Sequence, residues 1–555
     1  MTRLRYLIIL FFVLGLFSSC SEKAQTEKLF KYFLEKHVER IKPVQKQLNE
    51  TIWATYSGQK SFNELQQESE RTDSVYLSGS DASGYYQNLL NSFYDNTSEF
   101  EILKNIGESG LITDQSLKRQ FYKVFRDYQY IQNNWEEAEH RSTELLDKFF
   151  EIKKRENTFF DSLVNEPASE RNKKWINEFS SLVVDFREMI KALNHDAKSM
   201  GYKSYFDYAM DIQEISPSWL DSMLVEVERI TRDDYSNLLA VCRSGKCRGG
   251  CAPARILTPF QFRCAHSRMI YPSEWNGIQY SREDYINLLS DYFALGGFDI
   301  KNIYAKSDIW YDKKKINNSF FFCVDFDNAD LRIYSNNEPS VHSLNSLIHE
   351  FSHALHYQSI DKDLPYLLRK PHNIISEGTA LYLDEKIYTS EKIQSKMKLP
   401  LLNEDPFFKD FTNPSALMLL RKLLRTIYFE EAIYENPDQD FNELWWKLNK
   451  DFLFIDPAPE DRLPEWITSL HIVGSVGIYV DYLFAIVFAA QLEHYYPEDQ
   501  FALIKSKVMK YGDSLPWYEL IKSSTGEPLN LTYLQSSYKR PPLPVPVAEN
   551  IKDNI

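Results

Sequence analysis

The chain has 555 residues, of which 43% are hydrophobic and 15% are aromatic, and it contains only 18 glycines. This composition suits a large helical core better than a loop-rich sandwich, and the length permits either several domains or one large unit. Its 64 basic and 79 acidic residues give a formal charge of -15, and no basic patch indicates nucleic-acid binding.

The first 20 residues are typical of a lipoprotein export signal. Two arginines precede the apolar run at 6–17, and small residues lead into Cys20. We therefore expect residues 1–20 to be a signal segment, with Cys20 as the lipidated residue. The lipid would anchor an exported protein to the membrane of the bacterial cell envelope, on its periplasmic or surface face. The alternative is a plain anchor helix, although the run is short for a membrane span.

From residue 22 to about 239 the sequence is charged, aromatic and helical in period, which predicts a stack of long helices. A short cysteine-containing segment then interrupts this pattern. Its cysteines are Cys242, Cys247, Cys251 and Cys264. Their spacing matches no recognisable zinc module, so a structural metal, disulfides, a solvent-exposed loop and a local reading-frame error all remain open.

Two short runs at 320–326 and 331–334 are rich in aromatic and β-branched residues. They flank the turn-forming sequence Asp327-Asn328-Ala329-Asp330. This pattern predicts a β-hairpin. An exposed edge strand there could pair with an extended peptide, and an ordinary edge hairpin is the alternative.

The next helix carries residues with metal-binding chemistry. His349, Glu350 and His353 form the pattern H-E-x-x-H, and apolar residues at 344–355 recur at helical spacing. Histidines four residues apart lie on one helix face, so both imidazoles can bind one zinc ion, while Glu350 can deprotonate a water molecule. A catalytic zinc takes three protein ligands, and Glu377 on a second helix is the predicted third.

The C-terminal third of the sequence predicts further helices and a surface tail. The apolar run at 478–490 contains Asp481 and is short for a membrane span, so we expect a buried helix. The last residues, 541–555, are rich in proline, which predicts a tail that runs over the surface.

The surroundings of the histidine motif resemble the angiotensin-converting-enzyme family of zinc peptidyl-dipeptidases. The matching residues are His349, Glu350, His353, Lys362-Asp363-Leu364-Pro365, Arg369, Asn373 and Glu377. The spacing from the second histidine to the glutamate is the same as in that family. The resemblance implies zinc ligation by His349, His353 and Glu377, with Glu350 as the general base.

The resemblance continues farther along the chain. His471, Tyr479 and Tyr482 are similar to the histidine and two tyrosines that the family places around the scissile carbonyl and the substrate terminus. This implies that Tyr482 donates a hydrogen bond to the oxyanion with help from His471. It also implies that Tyr479 binds substrate.

Other residues are similar to the related thimet and oligoendopeptidase family. The sequence of 349–356, H-E-F-S-H-A-L-H, resembles its H-E-F-G-H-A-x-H, and Gly477, Tyr479 and Tyr482 fit its glycine-tyrosine segment. Both families have a mostly α-helical body of two lobes around a deep central cleft. We expect residues 21–540 to form such a zinc-peptidase domain, with a small edge β-hairpin.

Several positions depart from the pattern of the first family. Ser469 replaces a lysine that holds the substrate carboxylate, Asp481 replaces a chloride-linked arginine, and Leu381 replaces an aspartate. The histidine and alanine of the edge strand are replaced near Phe320 and Phe321. We therefore expect weak selection for a free C-terminus and little effect of chloride. Asp481, if it faced the cleft, would also repel a substrate carboxylate.

Together these residues predict a zinc-dependent peptidase that hydrolyses short peptides by a metal-activated water. It would either release C-terminal dipeptides or cut internally, in the manner of an oligoendopeptidase. An inactive zinc-containing peptide-binding lipoprotein and a structural lipoprotein with a fortuitous motif are the alternatives. Intact Glu350 argues against the first, and the second matching segment argues against the other.

Overall fold

A computed structural model describes most of the chain. The described residues are 22–57, 104, 106–107, 110–132, 135–163, 165–243, 275, 277–312, 315, 318–400, 413–497 and 500–539. Outside them lie the expected signal segment with Cys20, the side chain of Cys242, the whole of Cys247, Cys251 and Cys264, and the tail 541–555. The expectations that concern these residues therefore stay predictions.

The described chain is mostly α-helical, as the sequence predicts. Before the hairpin the helices are α1 (Glu22–Tyr56), α2 (Gln115–Gln132), α3 (Glu136–Lys154), α4 (Glu156–Ser162), α5 (Ala168–Phe179), α6 (Leu182–Ser199), α7 (Tyr205–Ile212), α8 (Pro217–Arg243), α9 (Arg282–Ala294) and α10 (Lys301–Lys306). The hairpin strands are β1 (Ser319–Asp325) and β2 (Asp330–Ser335).

After the hairpin the chain is helical again. The helices are α11 (Val341–Ser359), α12 (Asn373–Asp384), α13 (Lys386–Thr389), α14 (Glu391–Lys396), α15 (Pro414–Glu435), α16 (Phe441–Leu453), α17 (Leu470–Gly474), α18 (Ile478–Tyr495), α19 (Phe501–Lys507) and α20 (Trp517–Thr525). Short 3-10 turns lie at Tyr366–Leu368, Pro459–Asp461, Glu465–Thr468, Met509–Tyr511 and Leu531–Ser537.

One cluster of buried apolar side chains runs from Trp135, just before α3, to Tyr538 near the end of the described chain. A smaller cluster joins α1 to α2 through Phe30, Leu34 and Val124. Apolar burial is the main favourable term in folding, so most of these helices depend on one shared core. The division into two lobes around a cleft stays a prediction.

The hairpin forms where the sequence predicts it. The strands pair antiparallel, with Phe321 opposite Ile333. The N–H of Ile333 donates to Ser307 Oγ at 2.9 Å, and its carbonyl accepts from the N–H of Asp308 at 2.9 Å. Ile333 therefore turns its backbone groups away from β1, and Phe321 opposite turns its own away from β2. The pairing of a substrate peptide with β1 stays a prediction.

Helix α18 is the buried apolar helix that the sequence predicts. Asp481 in its first turn is only 1% exposed, and the apolar residues around it are buried. Among the described residues, no helix is both long and apolar enough to cross a membrane.

Helix α12 packs against both α11 and α18. A Cβ atom added at Gly378 would lie 2.6 Å from Phe488 Cδ1 and 3.1 Å from the carbonyl oxygen of Ala485, both in α18. The missing side chain therefore lets the two helices approach closely. Since Glu377 is the preceding residue, this contact also positions the predicted third zinc ligand.

We expect Gly378→Ala to lower the free energy of unfolding by about 1–3 kcal/mol, because the added methyl group overpacks the contact between α12 and α18. Gly474→Ala is the matched control. Its added Cβ would meet only the flexible side chain of Leu146, at 3.2 Å. Urea denaturation of the three proteins measures the difference. A Gly378→Ala protein as stable as the control would contradict this account of the packing.

Candidate metal centre

Helix α11 begins with a capping box and is fixed by a buried apolar stripe. The Ser340 hydroxyl accepts from the N–H of Ser343 at 3.3 Å, and the Ser343 hydroxyl accepts from the N–H of Ser340 at 2.8 Å. The buried residues of the stripe are Leu344, Leu347, Ile348, Phe351 and Leu355. This anchoring sets the rotation of the helix, so one face presents His349 and His353 together.

The structure brings the three predicted zinc ligands together. The Nε2 atoms of His349 and His353 are 3.1 Å apart. Glu377 Oε2 lies 3.2 Å from His349 Nε2, and its Oε1 lies 3.6 Å from His353 Nε2. A tetrahedral ion with bonds of about 2.0–2.1 Å holds neighbouring ligand atoms about 3.3 Å apart. The observed distances bracket this value, so the donor set fits a zinc ion.

Each imidazole is held from behind by a polar group. His349 Nδ1 lies 2.8 Å from Asp384 Oδ2, and His353 Nδ1 lies 2.9 Å from Ser376 Oγ. A partner that accepts from Nδ1–H leaves the lone pair of Nε2 available for a metal. An ionised Asp384 accepts from Nδ1–H of His349, and the Ser376 hydroxyl can accept from His353 in the same way.

Sequence reasoning missed Asp384. The expectation considered only the position four residues after Glu377, where Leu381 stands. Asp384 is seven residues after Glu377, which is two helical turns and the same face of α12. That spacing was a signal in the sequence, but the partner, His349 on another helix, could be identified only from the packing.

Charges within the cluster compensate one another. Burial acts to lower the pKa of His349, but hydrogen bonds to Asp384 and Glu377 raise it well above its ordinary value. Burial acts to raise the pKa of Glu377, but the neighbouring His353 and His349 bring it below the ordinary range. The protein without metal therefore holds a proton among these groups, and a bound cation would release it.

Glu350 lies beside the ligands without belonging to the group of three ligand atoms that meet. Burial raises the pKa of its carboxyl, although His349 and His353 act against this. A general base works most effectively when its pKa lies near the working pH, and the raised pKa of Glu350 moves in that direction. The role of Glu350 as the general base stays a prediction.

The structure also brings His471, Tyr479 and Tyr482 together. The ring centroid of His471 lies 6.0 Å from that of Tyr479 and 5.8 Å from that of Tyr482. Burial raises the pKa of Tyr482 well above its ordinary value, with Glu377 adding to the effect, and lowers the pKa of His471. The phenol thus keeps its proton and the imidazole is neutral. Gly477, at φ 83°, makes the turn that precedes Tyr479.

Asp481 does not face a cleft as a negative charge. Its side chain is buried, and its Oδ2 accepts from Asn373 Nδ2 at 3.1 Å. Burial raises its pKa to about 8, so the carboxyl is mostly uncharged at neutral pH. The condition under which it would repel a substrate carboxylate therefore does not hold. Asp481 instead joins the first turn of α18 to the first residue of α12.

No protein-family model and no curated protein matches this sequence. Solved structures do share its fold. A protein described as BsuCP aligns with a TM-score of 0.58 at 14% identity, covering 92% of this chain and 99% of its own. PZ peptidase A with an inhibitor gives 0.60 at 14% identity, covering 90% and 95%. A protein assigned as oligoendopeptidase F gives 0.62 at 15% identity, covering 94% and 96%.

At these identities the likeness shows the fold alone. Two of the three similar structures are described as peptidases, and one of them as an oligoendopeptidase. The mostly α-helical fold that both resemblances imply is therefore confirmed. The likeness to the angiotensin-converting-enzyme family stays a prediction.

We expect Asp384→Asn to weaken zinc binding by about 10–100-fold, because the neutral amide no longer holds His349 as a carboxylate does. Glu385→Gln is the matched control, since Glu385 is the adjacent carboxyl and shares no hydrogen bond with His349 among the described contacts. Competition with a chromophoric chelator measures both affinities. An equal loss in the two variants would show that His349 does not depend on Asp384.

The raised pKa of Asp481 predicts that the stability of the protein depends on pH. Its carboxyl titrates near 3.8 in the unfolded chain and at about 8 in the folded protein. Between these values the folded state holds the extra proton, so rising pH lowers stability by up to about 1.4 kcal/mol per pH unit. Asp481→Asn removes this contribution. We expect the difference in unfolding free energy, wild type minus variant, to fall as the pH rises from 5 to 8. A constant difference would contradict the assignment.

Proposed function

We propose that this chain is a zinc-dependent peptidase that hydrolyses peptide bonds in short peptides. The observation that carries the proposal is the meeting of His349, His353 and Glu377 beside Glu350, in a chain whose fold is shared with peptidases. Two imidazole nitrogens and one carboxylate oxygen form one of the three-ligand donor sets of catalytic zinc sites, which keep one position open. Structural zinc sites instead use four protein ligands.

When bound, zinc supplies a Lewis acid that lowers the pKa of a water molecule to about 7 and polarises the substrate carbonyl. Glu350 would take the proton of the attacking water and return it to the leaving amine. Asp384 and Ser376 would keep the two imidazoles in position during this exchange.

Tyr482 would stabilise the negative charge that develops on the carbonyl oxygen. Because burial raises its pKa, the phenol remains a hydrogen-bond donor over the physiological pH range. The neighbouring His471 would assist as a second donor, and Tyr479 would contact the substrate beside them. Burial favours a neutral His471, so it would donate from N–H and would not repel the zinc ion.

Two modes of cleavage have support from different observations. The similar structure assigned as oligoendopeptidase F favours internal cleavage. The resemblance to the peptidyl-dipeptidase family at 349–377 favours release of C-terminal dipeptides, and Ser469 argues against strict selection for a free C-terminus. An inactive peptide-binding protein is disfavoured because Glu350 is retained. Incubation of the purified protein with a mixed peptide library, with and without chelator, tests the proposal. Product lengths read by mass spectrometry distinguish the modes, and no chelator-sensitive product would refute both.

We expect about one zinc ion per chain in the wild type and loss of zinc in His353→Ala, because one of three ligands is removed. Glu350→Gln keeps the ligands, so it should retain zinc while turnover falls about 10²–10⁴-fold. His356→Gln is the control on the same helix. Burial lowers the pKa of His356 to about 3, and its ring is outside the ligand group. Elemental analysis and hydrolysis rates measure the outcomes.

Full zinc occupancy in His353→Ala would contradict the ligand assignment. Near-normal hydrolysis by Glu350→Gln would instead contradict the proton-transfer role while leaving the metal site in place.

A further inference from the structure

A cavity of ≈ 230 Å³ lies beside the tyrosine pair of the candidate site. Ser469 and Tyr479 form part of its wall. The opposite part comes from α15 and α16, to which the sequence assigns no function, through Arg425, Trp445 and Trp446. The cavity therefore joins residues of the proposed catalytic region to a charged side chain from a distant segment.

Arg425 is held in a fixed orientation. It is 8% exposed, and its guanidinium carbon lies 3.5 Å from the centroid of the Trp445 ring. Its Nη1 donates to Asn449 Oδ1 at 3.0 Å. Stacking on an aromatic face and a directed hydrogen bond both restrict a planar guanidinium, which reduces the entropy that it loses on binding an anion.

Hydroxyl groups stand on the wall near this cation. Ser469 Oγ and the Tyr479 hydroxyl are 2.7 Å apart. Burial raises the pKa of Tyr479 to about 12, while the bond to Ser469 and the charge of Arg425 oppose this rise. The positive charge of Arg425 therefore reaches the tyrosine hydroxyl. Because one of the two hydroxyls donates to the other, one O–H of the pair remains to donate to a negative group in the cavity.

The balance of charge in the wall favours an anion. Among the described lining residues, Arg425 and Lys422 are cationic and Glu465 is the one carboxylate. Glu465 Oε1 accepts from Trp445 Nε1 at 3.3 Å, so the carboxylate is engaged with the wall itself. The remaining lining is largely aromatic and aliphatic, which strengthens electrostatic attraction by excluding water.

The cavity is also close enough to the proposed chemistry to receive the same peptide. Tyr479 lines it, and the ring of Tyr479 lies 6.4 Å from that of Tyr482, centroid to centroid. An extended peptide advances about 3.3–3.6 Å per residue. A substrate with its scissile bond beside Tyr482 would thus reach the cavity within a few residues.

We infer that Arg425 is a specificity-determining residue, and that this cavity holds a carboxylate group of the peptide substrate against its guanidinium. The inference rests on the proposed peptidase function. A guanidinium and a carboxylate form a charge-assisted pair of matching geometry, and the hydroxyl pair of Ser469 and Tyr479 adds one donor. Arg425 would supply, from another helix, the charge that Ser469 lacks. The carboxylate is either the free C-terminus or an acidic side chain.

Equilibrium binding to the zinc-loaded Glu350→Gln protein tests this without turnover. Isothermal titration calorimetry compares two matched pairs: a peptide with a free C-terminus against its amide, and an amidated peptide containing Glu against the same peptide containing Gln. We expect the charged member of at least one pair to bind about tenfold or more tightly, equivalent to ~1.4 kcal/mol. The pair that shows the difference identifies the source of the carboxylate.

Variants in the same background assign the effect to one residue. Arg425→Met keeps an apolar side chain of similar length and should abolish the difference, leaving the neutral peptide nearly unaffected. Lys422→Met removes the same charge from the same wall and should preserve the difference. Arg425→Lys keeps the charge but lacks the planar guanidinium, so the affinity difference between charged and neutral peptides should become smaller. If Arg425→Met does not fold, the Arg425→Lys variant supplies the test.

Equal binding of charged and neutral peptides to the Glu350→Gln protein would overturn the inference. So would a difference that survives both Arg425 variants, or one that Lys422→Met abolishes. None of these results touches the proposed function, which stands if the wild-type protein hydrolyses any of the four peptides. Failure of the wild type to hydrolyse all of them would count against the proposed function itself.

Discussion

The close contact of α12 with its two neighbouring helices is the constraint on which the candidate site depends. Helix α11 provides two imidazoles and α18 provides the phenol of Tyr482. The third ligand, Glu377, comes from α12, which packs against both of these helices. Gly378 permits that approach because no side chain separates α12 from Phe488. The hydrogen bond from Asn373 to Asp481 joins α12 and α18 again at the first residue of α12. Ligand geometry is thus a result of helix packing.

The environment of each buried carboxyl decides its charge, and this keeps the centre suited to one cation. Glu377 lies against two imidazoles, which favour its ionised form. Asp481 has an amide as its partner, so burial favours its neutral form. The negative charge of Glu377 also acts to raise the pKa of Asp481, because two buried carboxylates near each other repel. The neighbouring imidazoles therefore suit Glu377 to ligation, whereas the amide partner suits Asp481 to a structural role.

Local patterns in the sequence predicted the parts of the fold that depend on local spacing. The histidine helix, the hairpin and the buried helix around Asp481 each have a period or turn signal within 20 residues or so. Asp384 and Arg425 were missed because their roles depend on partners that approach only through packing. Spacing along α12 could identify the face of Asp384, but not the contact with His349. Nothing near Arg425 in the sequence indicates a cavity shared with Ser469.

Ser469 and Arg425 line one cavity, and this shows why a single substituted position is weak evidence about specificity. An anion responds to the electrostatic potential of the whole wall, to which any cation within a few ångströms contributes. A guanidinium stacked on Trp445 loses less hydration than a lysine ammonium would, and its orientation is fixed before a ligand arrives. A serine in the same wall can then act as a hydrogen-bond donor beside that cation. The specificity of such a pocket therefore depends on all the side chains that meet there. A comparison of single motif positions does not reveal it.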